Sequence, residues 1–122
     1  MNFVGIDLAW KISNISRNGT GLAAIDGDGR LVGVGLAATD DEILSFVHKH
    51  AGDSCAVGID APLIVANESG QRPVERLLIV LGTPAYPANR NLFARVYGGI
   101  RGEVLLGRLI TDGFILATRY LS

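Results

Sequence analysis

Disulfide bonds and zinc sites are the first features that this sequence lacks. Its 122 residues include one cysteine, Cys55, which cannot form a disulfide within the chain. The one cysteine and the two histidines do not form a Cys/His cluster, so a zinc site is not expected. The N-terminus has neither a basic stretch nor a cleavage site, so the sequence predicts no signal peptide. These absences are typical of a protein of the reducing cytoplasm, and we expect that location.

Long hydrophobic runs are missing as well. No apolar run approaches the roughly 20 residues that a membrane-spanning helix needs, so we expect no membrane segment. With 48% hydrophobic residues and 16 glycines, the composition is typical of a compact globular chain with many tight turns. The length is that of one domain, and we expect a single domain over residues 1–122.

Lysine does not occur in residues 72–122, where seven arginines stand against three acidic residues. Residues 1–71 have the opposite balance, with four basic and nine acidic residues, so the net charges of the two parts are −5 and +4. Arginine favours planar, bidentate recognition of phosphate or carboxylate groups. The asymmetry is therefore compatible with a phosphate-binding surface, and equally with ordinary surface charge.

The order of apolar runs and turn signals predicts an α/β fold. An apolar strand at residues 3–10 is followed by a hairpin at residues 20–37, and then by a helix that starts in a capping box of Thr39 and Glu42. A second buried strand covers residues 55–63. Because the helix between them forms a crossover, we expect strand 4 to lie parallel to strand 1, beside an antiparallel unit of strands 1, 2 and 3.

The remainder of the chain predicts two more helices and the start of a strand. Residues 73–82 form an amphipathic helix, and residues 101–112 form another. The apolar stripe of the first, with the i, i+3, i+4, i+7 spacing of one helix face, consists of Val74, Leu77, Leu78 and Leu81. Residues 83–99 contain prolines and predict a long connection, while residues 114–122 begin like a strand.

The tetrapeptide VGID occurs twice, ending at Asp7 and at Asp60. Side chains alternate along a strand, so each aspartate shares a face with the glycine two residues before it, and this glycine leaves space for a ligand. If the two strands are neighbours, both carboxylates lie at the same end of the sheet. Two adjacent carboxylates repel unless a cation lies between them, and Mg²⁺ or Mn²⁺ suits such an all-oxygen site. The pair therefore predicts a metal or catalytic site.

Each aspartate also has a purely structural interpretation. An aspartate that ends a strand often caps a turn or a helix, and the repetition of the whole tetrapeptide is what favours a shared site. Glu42 is a possible third acid, but its place in the capping box accounts for it. Glu75 lies one turn from Arg72 and could pair with it or with Arg76.

Five segments resemble the domain-of-unknown-function family 429, whose members are predicted nucleases with a ribonuclease H-like fold. The segments are GIDLAW, GIDAPL, NESGQRPVE, AYPANR and RGEVLL. The resemblance covers essentially the whole chain. It implies a mixed sheet flanked by helices, with Asp7 and Asp60 as catalytic, metal-binding acids. It also implies that five polar residues line the same cleft as substrate-binding groups: Asn67, Arg72, Glu75, Asn89 and Arg90.

The family pattern continues beyond the end of this sequence, through a fifth strand to a late helix that carries another aspartate. This chain stops at Ser122. We therefore expect a domain that lacks its C-terminal part and the last catalytic acid. The edge of strand 4, or a short fifth strand, would then be open and could pair with a second copy to form a homodimer.

Three functions remain in competition at this point. The first is a metal-dependent nuclease-type domain that hydrolyses phosphodiesters of a nucleic acid or nucleotide, and that is inactive if the last acid is missing. The second is a nucleotide-binding ATPase or sugar-kinase relative. Its second phosphate-binding hairpin would fall at residues 60–63, where the sequence is a poor match. The third is a non-catalytic interaction module with a vestigial site.

Overall fold

A computed structural model describes residues 1–11 and 19–117 of the chain. In the described residues, four strands and four helices follow one another in an α/β order. They are β1 (Asn2–Asp7), β2 (Thr20–Ile25), β3 (Leu31–Ala37), α1 (Asp40–His50), β4 (Cys55–Ile59), α2 (Pro73–Val80), α3 (Arg90–Tyr97) and α4 (Arg101–Thr111). No helix in these two ranges combines the length and hydrophobicity needed to cross a membrane.

The four strands form one mixed sheet in the order β3-β2-β1-β4. The first three strands are antiparallel to their neighbours, and β4 lies parallel to β1. This topology confirms the predicted mixed sheet, with strands 1, 2 and 3 antiparallel and strand 4 parallel to strand 1. The connections explain this arrangement. A tight turn makes β2 and β3 antiparallel, whereas the crossover through α1 brings β4 to the far side of β1, parallel to it.

The two VGID segments lie side by side in register. Gly5 is opposite Gly58, Ile6 is opposite Ile59, and the amide of Asp60 donates a hydrogen bond of 2.9 Å to the carbonyl of Ile6. The repetition in the sequence is therefore one parallel strand pair in the fold.

The hydrophobic core lies on one face of the sheet. Val4, Ile6 and Leu22 point to this face and are buried against α1 and α4. Ile43 of α1 and Leu105 of α4 are fully buried in the same cluster. In the part of the chain that the structure describes, no helix packs on the opposite face, so the sheet is covered on one side.

Two ion pairs and one histidine–aspartate hydrogen bond join α1 to α4 and its C-cap. Arg101 pairs with Asp40 at 3.0 Å, Arg108 pairs with Asp41, and His48 contacts Asp112 at 2.9 Å. The acidic first turn of α1 comes from the negative part of the sequence, and both arginines come from the positive part. The charge asymmetry is thus partly neutralised within the fold.

Residues 83–99 contain a helix, α3, so the prediction of a long connection over this range was wrong. The Asn89 side chain accepts a hydrogen bond of 2.7 Å from the amide of Leu92 and caps the helix, and Gly98 ends it with a φ of 80°. Phe93 packs on Trp10 with ring centroids 5.5 Å apart. The two prolines lie before the cap, so they do not interrupt the helix.

Helix α2 forms where it was predicted, and most of its apolar stripe faces solvent. Val74, Leu77 and Leu81 are exposed, and the side chain that α2 buries is that of Glu75, which is 4% exposed. The helix is held by hydrogen bonds to this carboxylate rather than by apolar packing. Of the predicted strand after α4, residues 114–117 have no regular structure and residues 118–122 lie outside the described residues.

Cys55 opens β4, the edge strand of the sheet, and borders an apolar cleft of about 700 Å³ between β4 and α4. Burial raises the pKa of the Cys55 thiol, and a hydrogen bond with the Val4 backbone offsets part of this shift. At pH 8 we expect iodoacetamide to alkylate Cys55 several-fold more slowly in the folded protein than in urea, because less thiolate is present. Mass spectrometry measures both rates, and equal rates at pH 8 would contradict the prediction.

Candidate active site

Asp7 and Asp60 lie next to each other at the carboxyl ends of two neighbouring parallel strands. Asp7 is the last residue of β1, and Asp60 directly follows β4. Adjacent strands are about 4.8 Å apart, so the in-register pairing makes the two carboxylates neighbours. Both side chains are exposed, and both line the same groove on the open face of the sheet.

Small residues form the floor of this groove. A Cβ atom built on Gly5 or on Gly58 would have no other atom within 4 Å, so both glycines face open space. Among residues 1–11 and 19–117, no lysine, arginine or histidine lines the groove beside the acids. Within these ranges no basic side chain offsets the repulsion between the two carboxylates, and this favours a bound cation.

The backbone after Asp7 is held by two buried side chains. The hydroxyl of Thr20 accepts a hydrogen bond of 3.1 Å from the amide of Ala9, and Arg101 donates one of 2.8 Å to the carbonyl of Ala9. The sequence placed Arg101 only among the arginines of residues 72–101 that were expected to bind phosphate, and it predicted no role for Arg101 in holding this backbone. A signal existed, because a cation in the first turn of a helix is unfavourable and indicates another reason for its presence.

Helix α4 also fixes the backbone after Asp60. The carbonyl of Pro62 lies directly against Gly102, at a place where a Cβ atom would collide with it. The first turn of α4 therefore contacts the continuation of both strands, through Arg101 on the β1 side and through Gly102 on the β4 side.

The other five predicted residues come together in one hydrogen-bond network, which is separate from the groove lining. Its centre is Glu75, whose Oε1 atom accepts hydrogen bonds from Arg72 Nε at 2.8 Å and from the amide of Ala88 at 3.1 Å. The Oε2 atom of Glu75 is buried and has no hydrogen-bond partner among the described residues. The Oε1 atom thus joins α2 to the segment before α3, and the Oε2 atom accepts no hydrogen bond from the described residues.

Asn67, Asn89 and Arg90 complete the network. The amide group of Asn67 donates to the carbonyl of Ala88 at 2.8 Å, and that of Asn89 donates to the carbonyl of Gly70 at 3.0 Å. Arg90 donates to the carbonyl of Val65 at 3.0 Å and to Glu103 at 2.9 Å, and the latter contact raises the pKa of Arg90. These contacts tie the loop after β4 to the start of α3.

A third metal-binding acid is not found beside Asp7 and Asp60. Within residues 1–11 and 19–117, no group of three or more histidine, cysteine, aspartate or glutamate side chains could hold a metal ion. Glu42 accepts a hydrogen bond of 3.2 Å from the amide of Ala38, one residue before the N-cap, and its own amide donates to the Thr39 side chain, so both of these contacts of Glu42 lie at the start of α1. Two carboxylates still fit Mg²⁺ or Mn²⁺, since Mg²⁺ commonly binds through one or two carboxylates and keeps several waters.

Comparisons with known proteins give one family. The family described as "Protein of unknown function (DUF429)" matches residues 5–91, which contain Asp7, Asp60 and the polar network as far as Arg90. Searches of curated proteins and of solved structures returned no match. The match covers more than half of the chain, and the protein therefore belongs to the DUF429 family.

Proposed function

We propose that this protein is a metal-dependent nuclease-type domain that hydrolyses phosphodiester bonds of a nucleic acid or a nucleotide. The observation that supports the proposal is the pair Asp7 and Asp60, which the in-register strands place side by side in an open groove. The acids lie at the ends of two paired strands, and rigid strands position catalytic groups well.

The two carboxylates have the role of binding Mg²⁺ or Mn²⁺. Such a metal, when bound, lowers the pKa of a water molecule and stabilises the charge on the phosphate oxygens. The open space beside Gly5 and Gly58 allows a substrate to reach the acids from the uncovered face of the sheet. Thr20 and Arg101 act as positioning residues, because they hold the backbone that follows Asp7.

Fewer arginines are available for phosphate binding than the sequence predicts. Arg72, Arg90 and Arg101 each donate to a carboxylate. Arg76 and Arg95 are exposed, and in the described ranges neither has a carboxylate within ion-pair distance. These two arginines are the best candidates for contacts with a phosphate chain, and they are too few for tight binding of a long duplex.

A magnesium titration combined with a cleavage assay tests the proposal. We expect wild-type protein to cleave a labelled oligonucleotide only with Mg²⁺ or Mn²⁺, and Asp7→Asn and Asp60→Asn each to reduce the rate by at least ~100-fold, because each removes a metal ligand. Asp28→Asn, in the exposed hairpin turn, is the matched control and should retain full activity. Cleavage that survives either groove substitution would overturn the assignment.

A non-catalytic module is the second candidate. It is favoured by the occupation of the predicted phosphate-binding arginines in ion pairs and by the absence of a third acid near the groove among the described residues. Isothermal titration calorimetry separates the two functions. A folded protein that takes up no Mg²⁺ at millimolar concentration supports the module and not the nuclease.

A further inference from the structure

The segment that joins α2 to α3 contains two prolines, Pro84 and Pro87, which stand three residues apart. Proline fixes φ at about −65°, and the residue before a proline is restricted to extended conformations. Thr83 and Tyr86 occupy those preceding positions, so four of the five residues 83–87 are restricted by their covalent chemistry. The restriction favours polyproline II, a left-handed helix with about three residues per turn.

Burial along this segment has the same period of three. Ala85 is partly buried and Ala88 is buried, whereas Pro84, Tyr86 and Pro87 are exposed. In a polyproline II helix, the two alanines lie on one face and the two prolines on another. One face therefore packs on the protein, and the face that carries both prolines points to solvent. Tyr86, on the third face, is 88% exposed.

The backbone of the segment is fixed at both ends and unpaired between them. Among the described residues, no backbone–backbone hydrogen bond involves residues 84–87, as is typical of polyproline II. The amide of Thr83 donates a hydrogen bond of 2.8 Å to the last turn of α2. The amide of Ala88 donates to Glu75, and its carbonyl accepts from Asn67. Because its ends are held, the segment loses little conformational entropy when it binds a partner.

An exposed Pro-x-x-Pro segment in this conformation fits one kind of protein surface. Grooves lined by aromatic side chains bind such segments, because the polyproline II helix is already formed before binding. The surrounding sequence adds positive charge, since residues 76–102 contain four arginines and no acidic residue. A groove with an acidic rim complements this charge. We propose that residues 83–87 are a docking site for an aromatic-lined, acidic-rimmed groove of a partner protein.

Two other exposed apolar surfaces lack a pattern that specifies a partner. The free edge of β4, through which the sequence predicted a homodimer, is five residues long, and an apolar cleft separates it from residues 113–117. The exposed stripe of α2 belongs to a helix of eight residues, which is about 12 Å long. The homodimer through the β4 edge therefore stays a prediction from the sequence.

The docking site does not depend on nuclease activity. Residues 83–87 are not among those that line the groove of Asp7 and Asp60. Variants of the segment should therefore bind Mg²⁺ as the wild-type protein does. A loss of Mg²⁺ binding counts against the proposed nuclease, whereas a loss of partner binding concerns the segment alone.

Titration of the isotope-labelled protein with an array of purified SH3 and WW domains, followed by NMR, tests the inference. We expect at least one of these domains to shift the amide signals of Ala85 and Tyr86. Pro84→Ala and Pro87→Ala should each raise the dissociation constant of that complex at least ~10-fold, because each removes a proline that the groove contacts. Both prolines are exposed, so the variants should fold, and circular dichroism checks this.

Pro73→Ala is the matched control, since Pro73 is an exposed proline in the first turn of α2. It should leave the dissociation constant unchanged. If no domain of the array binds at about 1 mM, the docking site is refuted, as it is by a complex that Pro84→Ala and Pro87→Ala both leave intact. Scalar couplings that exclude a φ of about −75° at Ala85 and Tyr86 would refute it too. A complex that Pro73→Ala disrupts would place the contact on α2 and overturn the assignment.

Discussion

Replacing Arg101 with alanine should lower the free energy of unfolding by about 3 kcal/mol, because a buried ion pair loses one partner. Arg101 is 6% exposed and donates to Asp40 at 3.0 Å, to the carbonyl of Ala9 at 2.8 Å and to that of Ala38 at 3.4 Å. The truncation leaves a half-buried carboxylate and two carbonyl groups without this donor. It also creates a cavity between α4, α1 and the end of β1.

Arg108→Ala is the matched control for this prediction. Arg108 lies two turns further along α4 and pairs with Asp41, the neighbour of Asp40. The side chains of Arg108 and Asp41 are both exposed to solvent. An exposed pair contributes less than about 1 kcal/mol, so the loss should be correspondingly small. Urea denaturation of the two variants measures the difference. If both variants lost the same free energy of unfolding, burial of the Arg101–Asp40 pair would not add to its contribution to stability.

Replacing Gly102 with alanine should destabilise the protein by about 3 kcal/mol, although alanine is the better helix former. A Cβ atom at this position would overlap the carbonyl group of Pro62. The obstacle is backbone, which cannot move aside as the end of a flexible side chain could. The first turn of α4 must therefore shift away from the strand extension that carries Asp60.

Gly107→Ala, in the same helix, should stabilise the protein rather than destabilise it. Gly107 is exposed, and a Cβ atom there would meet no other atom within 4 Å. Only the helix propensity changes, so we expect the free energy of unfolding to rise by about 1 kcal/mol. Thermal denaturation of both variants tests the pair. A stable Gly102→Ala variant would show that α4 does not pack closely on Pro62.

Both large effects concern the first turn of α4, and this has a consequence for the candidate site. Arg101 holds the backbone after Asp7, and Gly102 allows the close approach to the backbone after Asp60. A helix that begins more than 90 residues after Asp7 thus fixes the relative position of the two acids. We expect either substitution to weaken Mg²⁺ binding even at temperatures where the protein remains folded.

Short-range patterns predicted much of the fold. The apolar strand that ends at Asp7 and the Thr39 cap of α1, which accepts from the amide of Glu42, are both present in the structure. The pairing of the two VGID strands followed from the crossover rule, since a helical connection makes neighbouring strands parallel. These features depend on residues that are close in sequence, or on chain geometry that holds for most α/β proteins.

Other features depended on contacts between distant residues. The stripe of α2 has the spacing of a core-facing helix, yet the polar contacts of Glu75 with Arg72 and Ala88 turn that stripe toward solvent. Helix α3 was not predicted, because the two prolines before it indicated a connection. It is stabilised by packing of Phe93 on Trp10. Neither contact can be read from a local pattern.

The sequence by itself determined the order of the strands and the identity of the paired acids, because alternation and crossover geometry act over a few residues at a time. Only the tertiary structure decided which faces are covered. It buries one side of the sheet against α1 and α4 and leaves the glycines of the VGID strands open. The physical reason is that burial is a property of surfaces that meet in space, and a periodic pattern shows that a surface is apolar without showing what covers it.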